Sequence, residues 1–253
     1  EFEMGPDCRR EYHDPQDRRF HAQPNACPVC GPKLILTNNK REVIDADDPV
    51  ALTVRLLRQG HIVAVKGIGG YHLAADATNP RAVSTLRKRK YREDKPFALM
   101  AKDVKTIQKF CYVNRLEKKL LQSVARPILL LRKKDSKLIA PEVAPLQKSW
   151  GVMLPYTPLH HLLLSSSDLV LVMTSGNQSD EPIACEDEDA FQRLHRIADY
   201  FLFHNRQIYR RCDDSVTRVW RGEEMIWRRG RGYVPVPVKV DLNFRKHVLA
   251  TGA

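Results

Sequence analysis

The chain has 253 residues, 43% of them hydrophobic, which is enough for one large domain with a substantial core. Its formal net charge of +12 and isoelectric point near 9.5 favour anionic partners such as nucleotides, phosphorylated substrates or nucleic acid. It has no apolar stretch approaching the ~20 residues of a membrane span, no secretory signal pattern and too few cysteines for a secreted disulfide framework, so a cytoplasmic setting is expected.

The first segment, residues 1–36, is polar and has no sustained helical or strand period. Cys27 and Cys30 have the C-x2-C spacing of zinc knuckles, in which two thiolates share one tight turn. Cys8 supplies a third thiolate, whereas Gly5 stands where a second C-x2-C pair would need a cysteine. These residues predict a zinc site; a disulfide or free thiols in a damaged knuckle is the competing interpretation.

Three thiolates hold a structural zinc ion only with a fourth ligand, and His21 is the expected one, with His13 as the alternative. The other cysteines are isolated in the sequence and are expected to be ordinary buried or surface thiols: Cys111, Cys185 and Cys212.

From about residue 47 the pattern predicts an α/β domain in which capped helices alternate with short apolar strands. Proline near the first helical position marks two helix starts, at Asp48–Pro49 and Asn79–Pro80. Two more helices are expected over 159–164 and 186–198. The expected strands are 62–65, 97–100, 127–131, 169–173, 199–203, and a hairpin of 215–220 with 225–228 through the turn 221–224.

A cationic segment runs from Arg87 to Lys95, with six Lys or Arg side chains in nine positions. It lies between a helix and a buried strand, where chain ends line pockets in α/β folds. One charge-assisted hydrogen bond to phosphate contributes roughly 1.5–3 kcal/mol, so two or three suffice to hold a triphosphate. The competing interpretation is the solvated C-terminal end of a helix, where cations are favoured.

Small polar side chains follow the expected strand 169–173, namely Thr174, Ser175 and Asn177. Alone they are typical of a turn, but with the cationic segment they predict a phosphate pocket. The chain has no Walker loop, and the glycine-rich segment 66–70 lacks the dinucleotide-binding spacing. Further on, 213–215 is expected to bind Mg²⁺ through water or to cap a turn.

Seven segments in one order resemble the YrdC-like domain of the HypF family of hydrogenase maturation carbamoyltransferases. They are 66–76, 90–97, 153–161, 174–177, 204–206, 213–215 and 228–231. In addition, 18–24 is similar to the end of that family's zinc-finger region, and 248–252 to the start of its C-terminal transferase domain. The resemblance covers essentially the whole chain, and seven ordered segments are far more specific than any one.

The resemblance implies a YrdC-like domain over 47–240, a twisted mixed sheet with flanking helices and a concave basic face. A partial zinc-finger segment over 1–36 would precede it, and 247–253 would be the truncated start of the transferase domain. Both ends of the chain are thus expected to be interior points of a longer protein.

The resemblance also implies an activity. HypF-type proteins supply the carbamoyl group for the cyanide ligands of [NiFe]-hydrogenase. Carbamate is released from carbamoyl phosphate, the YrdC-like domain joins it to ATP with loss of pyrophosphate, and the carbamoyl group moves to the C-terminal cysteine of HypE. This chain would form the carbamoyl-adenylate, with ATP, Mg²⁺ and Zn²⁺ as cofactors.

Residue roles follow from the same resemblance. The family's K-x-R pattern corresponds to Lys90 and Arg92, with Lys95 nearby, which would neutralise ATP phosphates and the charge developing on pyrophosphate. Its S-x-N pattern corresponds to Ser175 and Asn177, which would hold α-phosphate or carbamoyl oxygens.

The other implied roles concern the nucleotide and the carbamoyl group. His72 would orient the carbamoyl group, and Mg²⁺ would bridge the phosphates. The nucleotide-binding residues would be Lys66, Thr174, Asp214, Arg229 and Arg231, beside Lys95.

Two other functions remain open for a YrdC-like chain. One is binding of double-stranded RNA or tRNA on the basic face, although few aromatic residues accompany the cationic segment. The other is synthesis of threonylcarbamoyl-adenylate; the cysteine segment and the 248–252 tail argue against it, because the stand-alone enzymes need neither.

Overall fold

The computed structural model describes residues 3–165, 167–178, 181–239 and 249. The expected transferase-domain start at 247–253 therefore lies outside the described residues, apart from Leu249. Among the described helices, none is both long and apolar enough to cross a membrane.

Ten strands alternate with helices along the described chain. The strands are β1 (Leu34–Asn38), β2 (Val63–Lys66), β3 (Tyr71–Asp76), β4 (Ala98–Met100), β5 (Ile128–Arg132), β6 (Ser149–Met153), β7 (Leu171–Ser175), β8 (Tyr200–His204), β9 (Val216–Trp220) and β10 (Glu223–Arg228). The helices are α1 (Pro6–His13), α2 (Pro49–Arg58), α3 (Pro80–Arg89), α4 (Val104–Ile107), α5 (Arg115–Gln122), α6 (Pro158–Ser165) and α7 (Asp187–Leu194), with a 3₁₀ turn at Pro141–Val143.

All ten strands belong to one mixed sheet, in the order β1-β8-β2-β3-β7-β4-β6-β5-β9-β10. The pairs β2–β8, β4–β6 and β5–β9 are parallel, and the remaining neighbours are antiparallel. The predicted fold, a mixed α/β sheet with flanking helices, is confirmed.

The sheet separates two apolar layers, as expected for strands buried on both faces. On one face α2 and α6 pack on alternate residues of the central strands, for example Val63, Val65 and Met173. On the other face one core cluster joins Ala64 and Leu73 to residues of α3 and α7, and α5 extends this layer beside β5. The turns at the strand ends are therefore attached to strands that are buried on both faces.

Both predicted proline-marked helix starts are correct, because each has an acceptor side chain before the proline. The Asp48 carboxylate accepts hydrogen bonds from two backbone N–H groups of the first turn of α2. The Asn79 amide oxygen does the same for α3. The direction of α3 matters for function, since its last residue precedes Lys90.

The hairpin of β9 and β10 has a tighter turn than the sequence predicts. Only Arg221 and Gly222 connect the strands, with φ values of 52° and 83°. Positive φ at both positions is typical of the two-residue turns that match the twist of paired strands.

The first segment also differs from the prediction, because it contains the helix α1. Only Cys8 of its eight residues is buried, so no apolar period marks it in the sequence. Pro6 at its first turn is the remaining sequence signal.

Candidate functional site

Four chain segments meet beside the end of β7 and line two adjoining cavities of about 580 and 530 Å³. They are the segment after α3, the turn after β7, the residues before β9 and the end of β10. The residues that line both cavities are Arg92, Lys95, Ser175, Ile183, Asp213 and Arg228.

Lys90 links the segment after α3 to the turn after β7. Its side chain is buried, and its ammonium group donates to the backbone oxygens of Ser175 and Asn177 and to the Asn177 side-chain oxygen. The last contact is 2.7 Å long. The K-x-R and S-x-N patterns are therefore physically joined through this lysine.

The turn after β7 is itself closely packed. The Ser175 hydroxyl donates to the Asn177 side-chain oxygen over 2.7 Å. A Cβ on Gly176 would stand 2.7 Å from the Tyr71 carbonyl oxygen, so only glycine lets the turn approach β3 this closely. Thr174, one residue earlier, lines the second cavity.

Arg87 has a structural role that the interpretation as a solvated helix end misses. Its guanidinium is half-buried, lies 4.7 Å over the Phe97 ring and donates to the backbone oxygens of Arg92 and Glu93. Arg92 donates to the Lys95 carbonyl oxygen, which tightens the same loop. Lys88, by contrast, is exposed.

Burial, with neighbouring cations as the second cause, shifts the pKa values of two of these groups. Burial, followed by repulsion from Arg92 and Lys95, lowers the pKa of Lys90 to about 7. Burial, followed by Arg87 and Arg228, lowers the pKa of Arg92 to about 10. Cations that disfavour one another at a cavity create a site where an anion relieves the repulsion.

Arg228 and Asp213 line both cavities. The sequence prediction gives Arg228 no role at the site, and it includes Asp213 only within the 213–215 segment expected to bind Mg²⁺ or cap a turn. Arg228 ends β10 within the 228–231 segment that the family resemblance includes. The sequence prediction assigns Arg229 instead, whose guanidinium donates to the backbone oxygens of Tyr233 and Val236 and lines neither cavity.

Asp214 lies in a buried cluster behind the cavities. One carboxylate oxygen accepts from Arg231 Nε at 2.7 Å, and the other lies 3.0 Å from His72 Nε2. Arg231 also stacks 3.4 Å over the Tyr156 ring and donates to the Ala125 carbonyl oxygen. Asp214 borders the second cavity, but both of its oxygens are engaged in this cluster.

Besides Arg229, three residues assigned to substrate or nucleotide contact lie outside both cavities: His72, Arg231 and Lys66. The first two belong to the Asp214 cluster. Lys66 is buried and pairs with Asp187 at 2.6 Å. This geometry does not support contact of these three side chains with a ligand. Their contacts instead hold neighbouring parts of the protein in position.

A second site lies in the first segment. The sulfur atoms of Cys8, Cys27 and Cys30 lie within 4.8 Å of one another, which fits a zinc ion bound by thiolates. His21 is not part of this group, contrary to the predicted ligand set. Its ring stacks on Phe20 with 4.1 Å between centroids.

Comparison with known families defines the class of protein. The family model of Sua5/YciO/YrdC proteins, described as "Telomere recombination", matches residues 55–230. A second model, described as "HypF finger", matches residues 4–37. The chain belongs to the Sua5/YciO/YrdC family, here preceded by a HypF-type finger.

The particular relatives are carbamoyltransferase HypF proteins, which confirms the predicted resemblance. The chain is 50% identical over 253 residues to carbamoyltransferase HypF of Rhodobacter capsulatus, covering 99% of the chain and 33% of the relative. It is 42% identical over 223 residues to the probable carbamoyltransferase HypF of Methanocaldococcus jannaschii, covering 87% of the chain and 29% of the relative. The chain thus spans about a third of the length of these curated relatives.

Solved structures agree with this relationship. Full-length HypF in a phosphate- and nucleotide-bound form has a TM-score of 0.84 and 50% identity, covering 92% of this chain and 30% of that one. HypF from T. kodakarensis has a TM-score of 0.87 and 46% identity, covering 95% and 32%. P. abyssi Sua5, at 17% identity and TM-score 0.64 over 72% of this chain and 54% of that one, shares the fold.

Proposed function

We propose that this chain joins carbamate to ATP, forming carbamoyl-adenylate and pyrophosphate. The supporting observation is the pair of adjoining cavities between the Lys90-held turn and the cations Arg92, Lys95 and Arg228. The similarity to a HypF structure that contains phosphate and nucleotide supports the same ligand class.

In the proposed step a carbamate oxygen attacks the α-phosphorus of ATP. A new oxygen–phosphorus bond forms, the bond from the α-phosphorus to the bridging oxygen breaks, and pyrophosphate leaves with that electron pair. Carbamate reacts as an anion, so no proton has to move. The residues at the cavities would therefore act by positioning the reactants and stabilising negative charge.

Individual roles follow from the contacts. Lys90 would hold the Ser175–Asn177 turn in place and add positive charge beside it. The Asn177 amide would donate to α-phosphate or carbamoyl oxygens, and the Ser175 hydroxyl would exchange its hydrogen bond to Asn177 for one to the same oxygens. Arg92 and Lys95 would neutralise the departing pyrophosphate.

Mg²⁺ would arrive with the ATP phosphates and stabilise the charge on the leaving group. Apart from the three cysteines, no group of three or more potential ligands that could hold a metal occurs in the described parts of the chain. This fits an ion held mainly by phosphates and water, as Mg²⁺ prefers. Among the described carboxylates, Asp213 borders both cavities and would face such an ion, whereas Glu93, Asp94 and Glu181 border the first cavity alone.

The remaining steps belong to the longer protein that the relatives represent. Following the family resemblance, we propose that carbamate comes from carbamoyl phosphate and that the carbamoyl group passes to HypE, in the cytoplasm, for the cyanide ligands of [NiFe]-hydrogenase.

The direct test is exchange of labelled pyrophosphate into ATP, measured with ammonium bicarbonate as the source of carbamate. Exchange that requires bicarbonate and ammonia together supports the proposal. Exchange that requires added threonine would instead favour threonylcarbamoyl-adenylate synthesis. Salt-sensitive tRNA binding without carbamate-dependent ATP cleavage would favour the RNA-binding alternative.

Arg228→Ala is expected to weaken ATP binding by about tenfold or more, because one charge-assisted contact to phosphate is worth roughly 1.5–3 kcal/mol. Arg229→Ala removes the same charge one residue away and is expected to change the affinity less than threefold. Isothermal titration of both variants measures the difference. Equal losses would show that the effect is one of overall charge rather than of the cavity.

The pKa of Lys90 near 7 predicts pH-dependent ATP binding. The ammonium group is charged below this pH and becomes neutral above it, so its attraction for phosphate is lost as the pH rises from 6 to 9. Comparison with Lys90→Met at each pH cancels the ionisation of ATP itself. We expect the affinity ratio of wild type to variant to fall about tenfold or more over this range; a constant ratio would contradict the assignment.

A further inference from the structure

Gly5 lies where a fourth ligand would complete the cysteine site. A Cβ added to it would stand 3.6 Å from Cys30 Cβ and 4.0 Å from Cys30 Sγ. Its backbone φ of −62° and ψ of 165° are ordinary for any residue, so a side chain would be tolerated there. Gly5 also precedes Cys8 by the same interval that separates Cys27 from Cys30.

The three sulfur atoms already have the spacing of a zinc site. Cys30 Sγ lies 3.5 Å from Cys8 Sγ and 3.7 Å from Cys27 Sγ. Thiolates at a zinc–sulfur distance of about 2.3 Å in a tetrahedron stand about 3.8 Å apart. Two of the three sulfur–sulfur distances are close to this value and all three are within 4.8 Å, so the cysteines can supply three corners of a tetrahedron.

Within the described ranges, the group of potential ligands at this place consists of these three cysteines alone. The nearby histidine His21 packs its ring against the Phe20 and Tyr12 rings. The Cys8 thiol is buried, whereas Cys27 and Cys30 are partly exposed. Cys30 borders a cavity of about 550 Å³ that Arg206 also lines, so a small molecule can approach from that side.

We propose that the finger is a three-thiolate zinc site whose fourth coordination position is open at Gly5. A water molecule or a small exogenous thiol or imidazole would occupy that position. Structural zinc sites are normally closed by four protein ligands, and an open position is characteristic of sites that exchange a ligand. The finger of this chain would therefore bind zinc more weakly than a four-cysteine finger and accept an added ligand.

The test replaces Gly5 and compares metal affinities by chelator competition. Gly5→Cys is expected to bind zinc at least about tenfold more tightly than the wild type, since even an outer-shell partner changes affinity 10- to 100-fold. Gly5→Ala fills the same space without a ligand atom and is expected to leave the affinity unchanged. His21→Ala is also expected to leave the zinc affinity unchanged.

Cobalt(II) gives a second, spectroscopic measurement. Addition of 2-mercaptoethanol or imidazole is expected to shift the visible absorption of the cobalt-loaded wild type and to leave that of Gly5→Cys unaltered. Equal zinc affinity of wild type and Gly5→Cys, an unresponsive wild-type spectrum, or loss of affinity in His21→Ala would each overturn the open-site proposal. All three readouts are independent of ATP and carbamate.

Discussion

Replacing Lys90 with alanine is expected to lower carbamate-dependent ATP–pyrophosphate exchange by about 100-fold or more. The substitution removes the ammonium group that fixes the carbonyl oxygens of Ser175 and Asn177, so the turn loses its position as well as a positive charge. Displacement of positioning groups by about 1 Å can reduce a rate 100-fold by itself. The measurement is the exchange rate at saturating ATP and bicarbonate.

The matched control is Lys88→Ala, which removes the same side chain two residues earlier on the exposed surface. We expect it to retain nearly full exchange activity. Circular dichroism and urea unfolding would establish that both variants are folded under the assay conditions. Comparable activity of a folded Lys90→Ala variant would refute the role assigned to this lysine.

The positions of Lys90 and Ser175 explain why the order of the segments in the sequence predicts part of the site. Lys90 and Ser175 lie 85 positions apart, yet one follows a helix end and the other a strand end, the two places where α/β folds place ligand-binding groups. What the order could not show is that Lys90 turns inward to hold the Ser175 turn. That depends on contacts distant in sequence, because α3 packs on β3 and β3 in turn pairs with β7.

The sequence prediction omits Arg228 because the strand that carries it is locally irregular. Side chains alternate between the two faces of a regular strand, so the face of a residue is predictable from its neighbours. The pairing of β9 with β10 shifts register between Ile226 and Arg228, and this irregularity breaks the alternation. The sequence therefore predicts that the cationic segment 228–231 belongs to the site, but it does not show that Arg228 is the residue that borders the cavities.

The central strand β3 was missed for a different reason. Its residues include Leu73, Ala74 and Ala75, and the strand lacks the β-branched residues that identify strands in a sequence. Its strand conformation comes from its place between β2 and β7 in the sheet. The capped helices α2 and α3 were predictable because their start signals are local.

Asp214→Asn is expected to reduce the free energy of unfolding by about 3–5 kcal/mol, the usual effect of removing one partner from a buried ion pair. The side chains of Asp214, Arg231 and His72 are about one-tenth exposed or less, so water cannot replace the lost charge. Urea unfolding of the variant measures the effect. Asp213→Asn alters the adjacent, exposed carboxylate and is expected to stay within about 0.5 kcal/mol of the wild type.

A second substitution and the response to acid separate the charge from the packing. Adding Arg231→Met to Asp214→Asn removes the unpaired cation and is expected to restore part of the lost stability.

Burial opposes ionisation of Asp214, but the contacts with His72 and Arg231 outweigh it and hold the carboxyl pKa below its usual range. The stabilisation is therefore present at neutral pH and is lost as the pH falls through about 3.9, the ordinary aspartate pKa, towards the folded value. Between these pH values the free energy of unfolding of the wild type should fall, and that of Asp214→Asn should fall less. Equal falls in the two proteins would show that ionisation of Asp214 does not stabilise the fold.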